Sequence, residues 1–269
     1  MTVTFMCEVI RRSGSANPNQ FGRWFDAETT SWTYAPKAAA NANAKSGQVK
    51  ATLGQKKWYR LAKGEFPLSR TALGHLARLF PDTYNAFWNG PDQLWRALWA
   101  PPEDLWMICG ANVYESPFPD PDEEPWCFTG NALPYDESLY NFEASLLGRQ
   151  LVSGALLELH DLAESIAMYR LHQTVNRLAK TDGIGAYRCV RMCLDAPEIR
   201  WHLHSLGVFA EFSLYDAIND ELTSTELDRL RHEPSYRVSI GAEDIEAYVR
   251  NPSALCSSEQ RMELLHIAP

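Results

Sequence analysis

Residues 52–80 read TLGQKKWYRLAKGEFPLSRTALGHLARLF, and their spacing predicts two short helices joined by a tight turn. Leu53, Trp58 and Leu61 fall on one face of the first helix, while Gln55, Lys56, Lys57, Arg60 and Lys63 point elsewhere. Gly64 ends that helix, because a residue without Cβ enters the left-handed region at little cost. Glu65-Phe66-Pro67 turns the chain, and Ser69 is placed to cap a second helix whose buried side is Leu73, Leu76 and Leu79. Two short helices in sequence, the first loaded with long polar side chains, suit a protein that reads a nucleic-acid groove.

The charge around this stretch points the same way. Residues 1–80 hold 12 of the 25 Lys and Arg but only 4 of the 34 Asp and Glu, a net +8. The remaining 189 residues carry 13 basic against 30 acidic side chains, a net −17, so the overall −9 conceals a basic head on an acidic body. A positive surface concentrates polyanions and an acidic one repels them. The alternative is that the basic side chains only solvate helix surfaces.

At 269 residues the chain is long enough for one large or two modest domains, and 45% hydrophobic residues with 9 Trp, 11 Tyr and 11 Phe argue against disorder throughout. The apolar stretch in MTVTFMCEVIRRSGS is too short for a signal sequence and precedes its charges, and no apolar run approaches membrane-spanning length. The expectation is a cytoplasmic protein with no membrane partner. The cysteines Cys7, Cys109, Cys127, Cys189, Cys193 and Cys256 are scattered, mostly in apolar settings, and are expected to be reduced and mostly buried.

The clearest boundary lies at 115–136, ESPFPDPDEEPWCFTGNALPYD, where prolines alternate with acids and exclude continuous helix. Trp126 and Phe128 within it suggest a strap pinned to a surface rather than a free linker. The division expected is a basic, Trp-rich domain at 1–112, a Pro/acidic linker or strap at 113–136, and an acidic helical domain at 137–269. From Ser138 to about Lys180 apolar residues keep three-and-four spacing, with Ser153-Gly154 the expected break. Further helices are expected at 184–194, 197–206 with Pro197 at the first helical position, 207–219, and 224–232 opened by a Thr223/Glu226 capping box, then 242–250 and 257–266. Strand signals are confined to WCF at 126–128 and YRVSI at 236–240, so the expected fold class is all-α.

The order Arg60-Leu61-Ala62-Lys63-Gly64-Glu65-Phe66-Pro67-Leu68-Ser69 through Leu76-Ala77-Arg78-Leu79 resembles the helix-turn-helix unit of the lambda-repressor and Cro class, also called Xre-like, over about residues 52–80. In that class the recognition helix is followed by a basic residue, a glycine, a short loop with proline and a Leu-rich helix. The resemblance implies that Gln55, Lys56 and Lys57 occupy the base-facing start of the recognition helix, with Arg60 and Lys63 nearer phosphates. Gln pairs bidentately with adenine and Lys reaches guanine, so the residue types agree with that placement. Two departures stand out. The class carries Glu where this chain has Ala62, and its preceding helix is poorly matched by Ser46-Gly47-Gln48-Val49-Lys50-Ala51-Thr52.

Seven tryptophans, Trp24, Trp32, Trp58, Trp88, Trp95, Trp99 and Trp106, precede the strap. Aromatics interleaved with cations can stack single-stranded bases, but core packing is the commoner role. Residues 81–99 look like a helix and turn closing the head.

Chemistry-bearing clusters are few. Cys189 and Cys193 with His202 and His204 are metal-like in composition but depart from zinc-finger spacing, and buried helical cysteines are the commoner reading. His160 and Glu164 lie one turn apart, which fits a solvated helical pair better than a metal or proton relay. His75 and His172 are lone helical histidines, and Cys127 lacks neighbours that would activate a nucleophile. No phosphate loop, serine elbow, HExxH or paired-carboxylate signature is present. The expectation is therefore no enzyme, no cofactor and no metal. Two functions lead, with an enzyme of unfamiliar site behind both: a phage or bacterial type DNA-binding transcription regulator using Gln55, Lys56, Lys57, Arg60 and Lys63 on duplex DNA, with the acidic body serving oligomerisation such as a homodimer or a partner; or a protein–protein interaction protein in which the helix-turn-helix is a structural relic and the acidic body binds another protein.

Overall fold

A computed structural model describes residues 1–29, 32, 49–109, 142–150, 154–179, 186–239, 242 and 244–251, with the side chains of 49–55, 106, 175–179 and 239 outside the description. Among the described residues every regular element is helical, and the protein is all-α. No described helix is long and apolar enough to cross a membrane. Two compact units divide the chain: Met1–Gly90 with His204–Leu214, and Pro91–Leu203 with Tyr215–Pro269.

The first unit contains α1 (Thr2–Arg12), α2 (Pro18–Thr29), α3 (Val49–Ala62), α4 (Arg70–Leu79) and α5 (Thr83–Asn89). Amphipathic spacing in α1 sends Phe5, Met6, Val9 and Ile10 inward, where they meet Phe21 and Phe25 of α2, Trp58, Leu61 and Ala62 of α3, and Leu73 and Leu76 of α4. Trp58 stands edge-on to Phe21 with centroids 5.1 Å apart and lies 4.6 Å from Phe25. Phe5 meets Phe87 of α5 edge-on at 5.3 Å, and Trp24 stacks on Phe80 at 5.6 Å. Arg12 binds Glu8 one turn back and Asp82 across the chain, each at 2.6 Å. The segment 204–214 also belongs here: Phe209 packs against the same core and Glu211 N–H donates to the Lys63 carbonyl.

In the second unit a 3₁₀ turn at Pro91–Gln93 leads into α6 (Leu94–Trp99) and α7 (Pro102–Cys109). There follow α8 (142–148), α9 (Leu159–Ala179), α10 (Ala186–Asp195), α11 (Pro197–Leu206), α12 (Leu214–His232), α13 (Pro234–Ser239) and α14 (Ile245–Arg250), the last three residues of α11 and the first of α12 being counted with the first unit. Its core takes Leu94, Trp95, Leu105, Leu146, Ile166 and Tyr169. Arg170 of α9 donates to the Ala97 and Ala100 carbonyls, both at 2.8 Å, satisfying acceptors that the end of α6 leaves open.

This core also holds ions. Arg188 binds the Glu143 carboxylate through both nitrogens, at 2.7 and 3.0 Å, with both residues buried. Arg149 pairs with Asp161. Glu226, fully buried, accepts hydrogen bonds from Tyr169 Oη at 2.6 Å and Tyr236 Oη at 2.9 Å, while the Arg229 guanidinium lies 3.5 Å from the Tyr236 ring centre. Burial raises the Glu226 carboxyl above its ordinary value, the two phenols and Arg229 only partly offsetting that cost.

Several expectations need correction. The compact division falls at Gly90 rather than at 112, because the apolar faces of α6 and α7 pack with α9; Trp95 and its neighbours therefore belong to the second unit. Thr223 does not start a helix: α12 runs unbroken from Leu214 to His232, and Glu226 turns inward to two tyrosines instead of back to the chain at 223. Residues 207–213 are not helical, since Glu211 N–H there is spent on the Lys63 carbonyl. The 236–239 part of YRVSI is helical, Pro234 sitting at the first position of α13. Predicted features that match include the break at Gly154, with φ +62°, and α11 over Pro197–Leu206. The 113–136 strap, WCF, Cys127, Cys256 and the 257–266 helix lie outside the described residues.

Candidate nucleic-acid interface

The site grows from the end of α3. Gly64 adopts φ +82°, and the chain closes with Gly64 N–H on the Leu61 carbonyl and Glu65 N–H on the Arg60 carbonyl, the paired bonds of a Schellman ending. The positive φ favours glycine here, and a Cβ would lie 2.8 Å from the Phe212 ring, which would have to shift. The ending folds Glu65 and Phe66 back beside Arg60. The Arg60 guanidinium lies 3.8 Å from the Phe66 ring centre, and its Nε donates to Glu65 at 2.5 Å. Leu68 N–H donates to Thr2 Oγ1, holding the turn against α1. Ser69 then caps α4, its Oγ accepting from Ala72 N–H at 3.2 Å.

Together these elements leave a groove of about 340 Å³. Lys56, Lys57 and Arg60 line it together with the apolar Leu61, Phe66 and Pro67, and with Ser69, the cap of α4. Lys56, Lys57, Arg60 and Phe66 are exposed, whereas Leu61 is buried beneath them. The groove is therefore a mainly apolar concavity to which three cationic side chains contribute.

Of the five residues expected to contact DNA, Lys56, Lys57 and Arg60 share this groove. Gln55 lies within α3, but its side chain is outside the description. Lys63 is one turn beyond Arg60 and is partly exposed, yet its Nζ donates to Glu211 at 2.5 Å, and that bond holds the ammonium above its ordinary pKa. Of the stretch 46–52 that stands where the class has its preceding helix, residues 49–52 fall within α3 and 46–48 lie outside the described residues.

Sequence reading missed Phe66 and Ser69 as groove residues and Glu65 as Arg60's partner. A signal existed for Glu65, because the bonds of a glycine ending bring that residue back to Arg60. None existed for Glu211, which meets Lys63 from 148 residues away.

The other clusters are packed elements. Cys189 and Cys193 are buried; burial drives the Cys193 thiol up to about 12 despite a 3.3 Å contact with Ser165 Oγ. His202 is half-buried and His204 exposed, and among the described residues no three His, Cys, Asp or Glu are grouped to hold a metal ion. His160 Nε2 is 3.9 Å from Glu164, which is buried rather than solvated. His172 is buried against Arg229, and His75 meets the Trp32 ring. No family model matches the chain, and neither a curated protein nor a solved structure gives a significant match.

Proposed function

We propose that this chain is a DNA-binding protein of the phage or bacterial regulator type, whose first unit docks through the face of α3 that carries Lys56, Lys57 and Arg60. The observation that carries the reading is their convergence on one exposed groove in a unit holding 12 basic against 6 acidic side chains, a net +6, while the second unit carries −15. Cations gathered on one face neutralise adjacent phosphates and release counterions, which gives affinity and a salt dependence. The acidic second unit would stay off the polyanion and serve self-association; pairing two heads about a two-fold axis would set half-site spacing.

The test is anisotropy of a mixed-sequence duplex across a salt series, comparing wild type with Lys56→Ala/Lys57→Ala/Arg60→Ala. Steep salt dependence in the wild type, its slope falling by about 2–3 in the variant, supports the reading. Absence of binding at low salt in both overturns it.

The second reading, a protein–protein interaction protein, draws support from the second unit. Trp201 on α11 is 72% exposed and Val238 on α13 is 79% exposed, apolar side chains that a protein partner could cover. A pull-down lost on Trp201→Ser with DNA affinity intact would favour it.

A further inference from the structure

We infer that the groove beside α3 accepts an unpaired nucleotide, its base against Phe66 and its phosphate on Lys56 and Lys57. This deepens the DNA-binding reading and rests on it. Every phosphate contact proposed above would be met by cations alone, so the apolar half of the groove calls for a ligand group of its own. Leu61, Phe66 and Pro67 provide that half within the same concavity as the lysines. A fully paired duplex offers phosphates and base edges, but stacking consumes its base faces. An unpaired nucleotide offers both a phosphate and a free π-face, which is the pairing that single-strand sites exploit.

Phe66 is 44% exposed. It is held there. Gly64 fixes the turn, Arg60 lies over the ring at 3.8 Å, and Glu65 fixes the guanidinium at 2.5 Å. Ring and guanidinium form a prepared stacking surface, so little ordering remains when a base arrives. At about 340 Å³ the groove lies at the lower end of small-ligand sites, roughly 300–1,000 Å³, which matches one nucleotide rather than a helix of DNA. None of its lining residues is acidic, and Ser69 places the N-terminal turn of α4 at one end, where backbone N–H groups favour negative charge.

Anisotropy titrations at one moderate salt concentration would use three labelled probes: a mixed-sequence single strand, its fully paired duplex, and that duplex with one bulged nucleotide. Proteins would be wild type, Phe66→Ala, Phe66→Tyr and Lys56→Ala/Lys57→Ala, each checked for an unchanged thermal midpoint. The expected result is that wild type binds the single strand and the bulged duplex about tenfold tighter than the paired duplex. Phe66→Ala should erase that margin by weakening the single strand and the bulged duplex far more than the paired duplex, Phe66→Tyr should keep it, and the double lysine variant should weaken all three probes. Equal wild-type affinity for paired and unpaired probes, or a Phe66→Ala loss shared equally by all probes, overturns the nucleotide site and leaves DNA binding standing. Failure of every probe to bind at low salt removes both readings.

Discussion

The two units use arginine and lysine in opposite ways. In the first, Lys56, Lys57 and Arg60 stand exposed around a groove, Arg60 paired with Glu65, and other ion pairs of that unit, among them Arg12 with Asp82 and Lys63 with Glu211, also lie at its surface. In the second, Arg188, Arg149 and Arg229 turn inward among carboxylates, phenols and carbonyls. Net charge alone therefore misleads: the unit carrying −15 commits Arg188 and Arg229 to its interior, while the unit carrying +6 displays Lys56 and Lys57. An exposed cation remains hydrated and can exchange water for a phosphate at modest cost, whereas a buried one is committed to its partner by the penalty of separating them.

The sharpest way to break that contrast is Arg188→Ala. It would strand Glu143 as an uncompensated buried carboxylate and should cost about 3–5 kcal/mol, read by urea unfolding followed with a second-unit probe. A loss below about 1 kcal/mol would place this pair with ordinary surface ion pairs. By the same contrast, Lys56→Ala/Lys57→Ala/Arg60→Ala should change stability by less than about 1 kcal/mol while weakening DNA binding.

Next comes Gly64→Ala, which meets both a positive φ and the Phe212 ring at 2.8 Å. The left-handed conformation alone costs about 1–2 kcal/mol, so a lowered thermal midpoint is expected. Because the same turn positions Phe66, single-strand affinity should fall with it; an unchanged midpoint would mean that the turn is softer than drawn.

Glu226 sharpens the comparison through pH. Its folded-state pKa is raised by burial above the ordinary 4.5, so its contribution to stability is fully present below that value and is lost as pH rises through the folded value. Wild type should lose stability over this rise relative to Glu226→Gln, which keeps hydrogen-bonding groups beside Tyr169 and Tyr236 without the charge. Parallel stability curves for the two proteins from pH 4 to pH 8 would show that the tyrosines and Arg229 hold the carboxylate at no net cost.

The smallest effect belongs to Glu211→Ala. It should leave the thermal midpoint unchanged and release Lys63 to the solvent, steepening the salt dependence of DNA binding by about one unit of slope. An unaltered slope would place Lys63 outside the interface.

Local features were legible because they depend on neighbours in the chain. The 3.6-residue period placed α3, α4, α9 and α11; Gly64, Ser69 and Pro197 marked their ends; and the basic character of residues 1–80 singled out the unit with the groove. Glu226 shows where this stops. Thr-x-x-Glu has the pattern of a helix start, yet the acid lies inside α12 because Tyr169 and Tyr236, 57 and 10 residues away, claim it. The all-α class and the cationic face of α3 thus follow from the amino-acid sequence by itself. Only tertiary structure decided that α6 and α7 join the second unit, that Glu211 takes Lys63, and that Arg60 lies over Phe66 in the lining of a groove. The physical reason is range: helical period, capping and charge act over a few residues, whereas burial is decided by partners that the fold alone brings together.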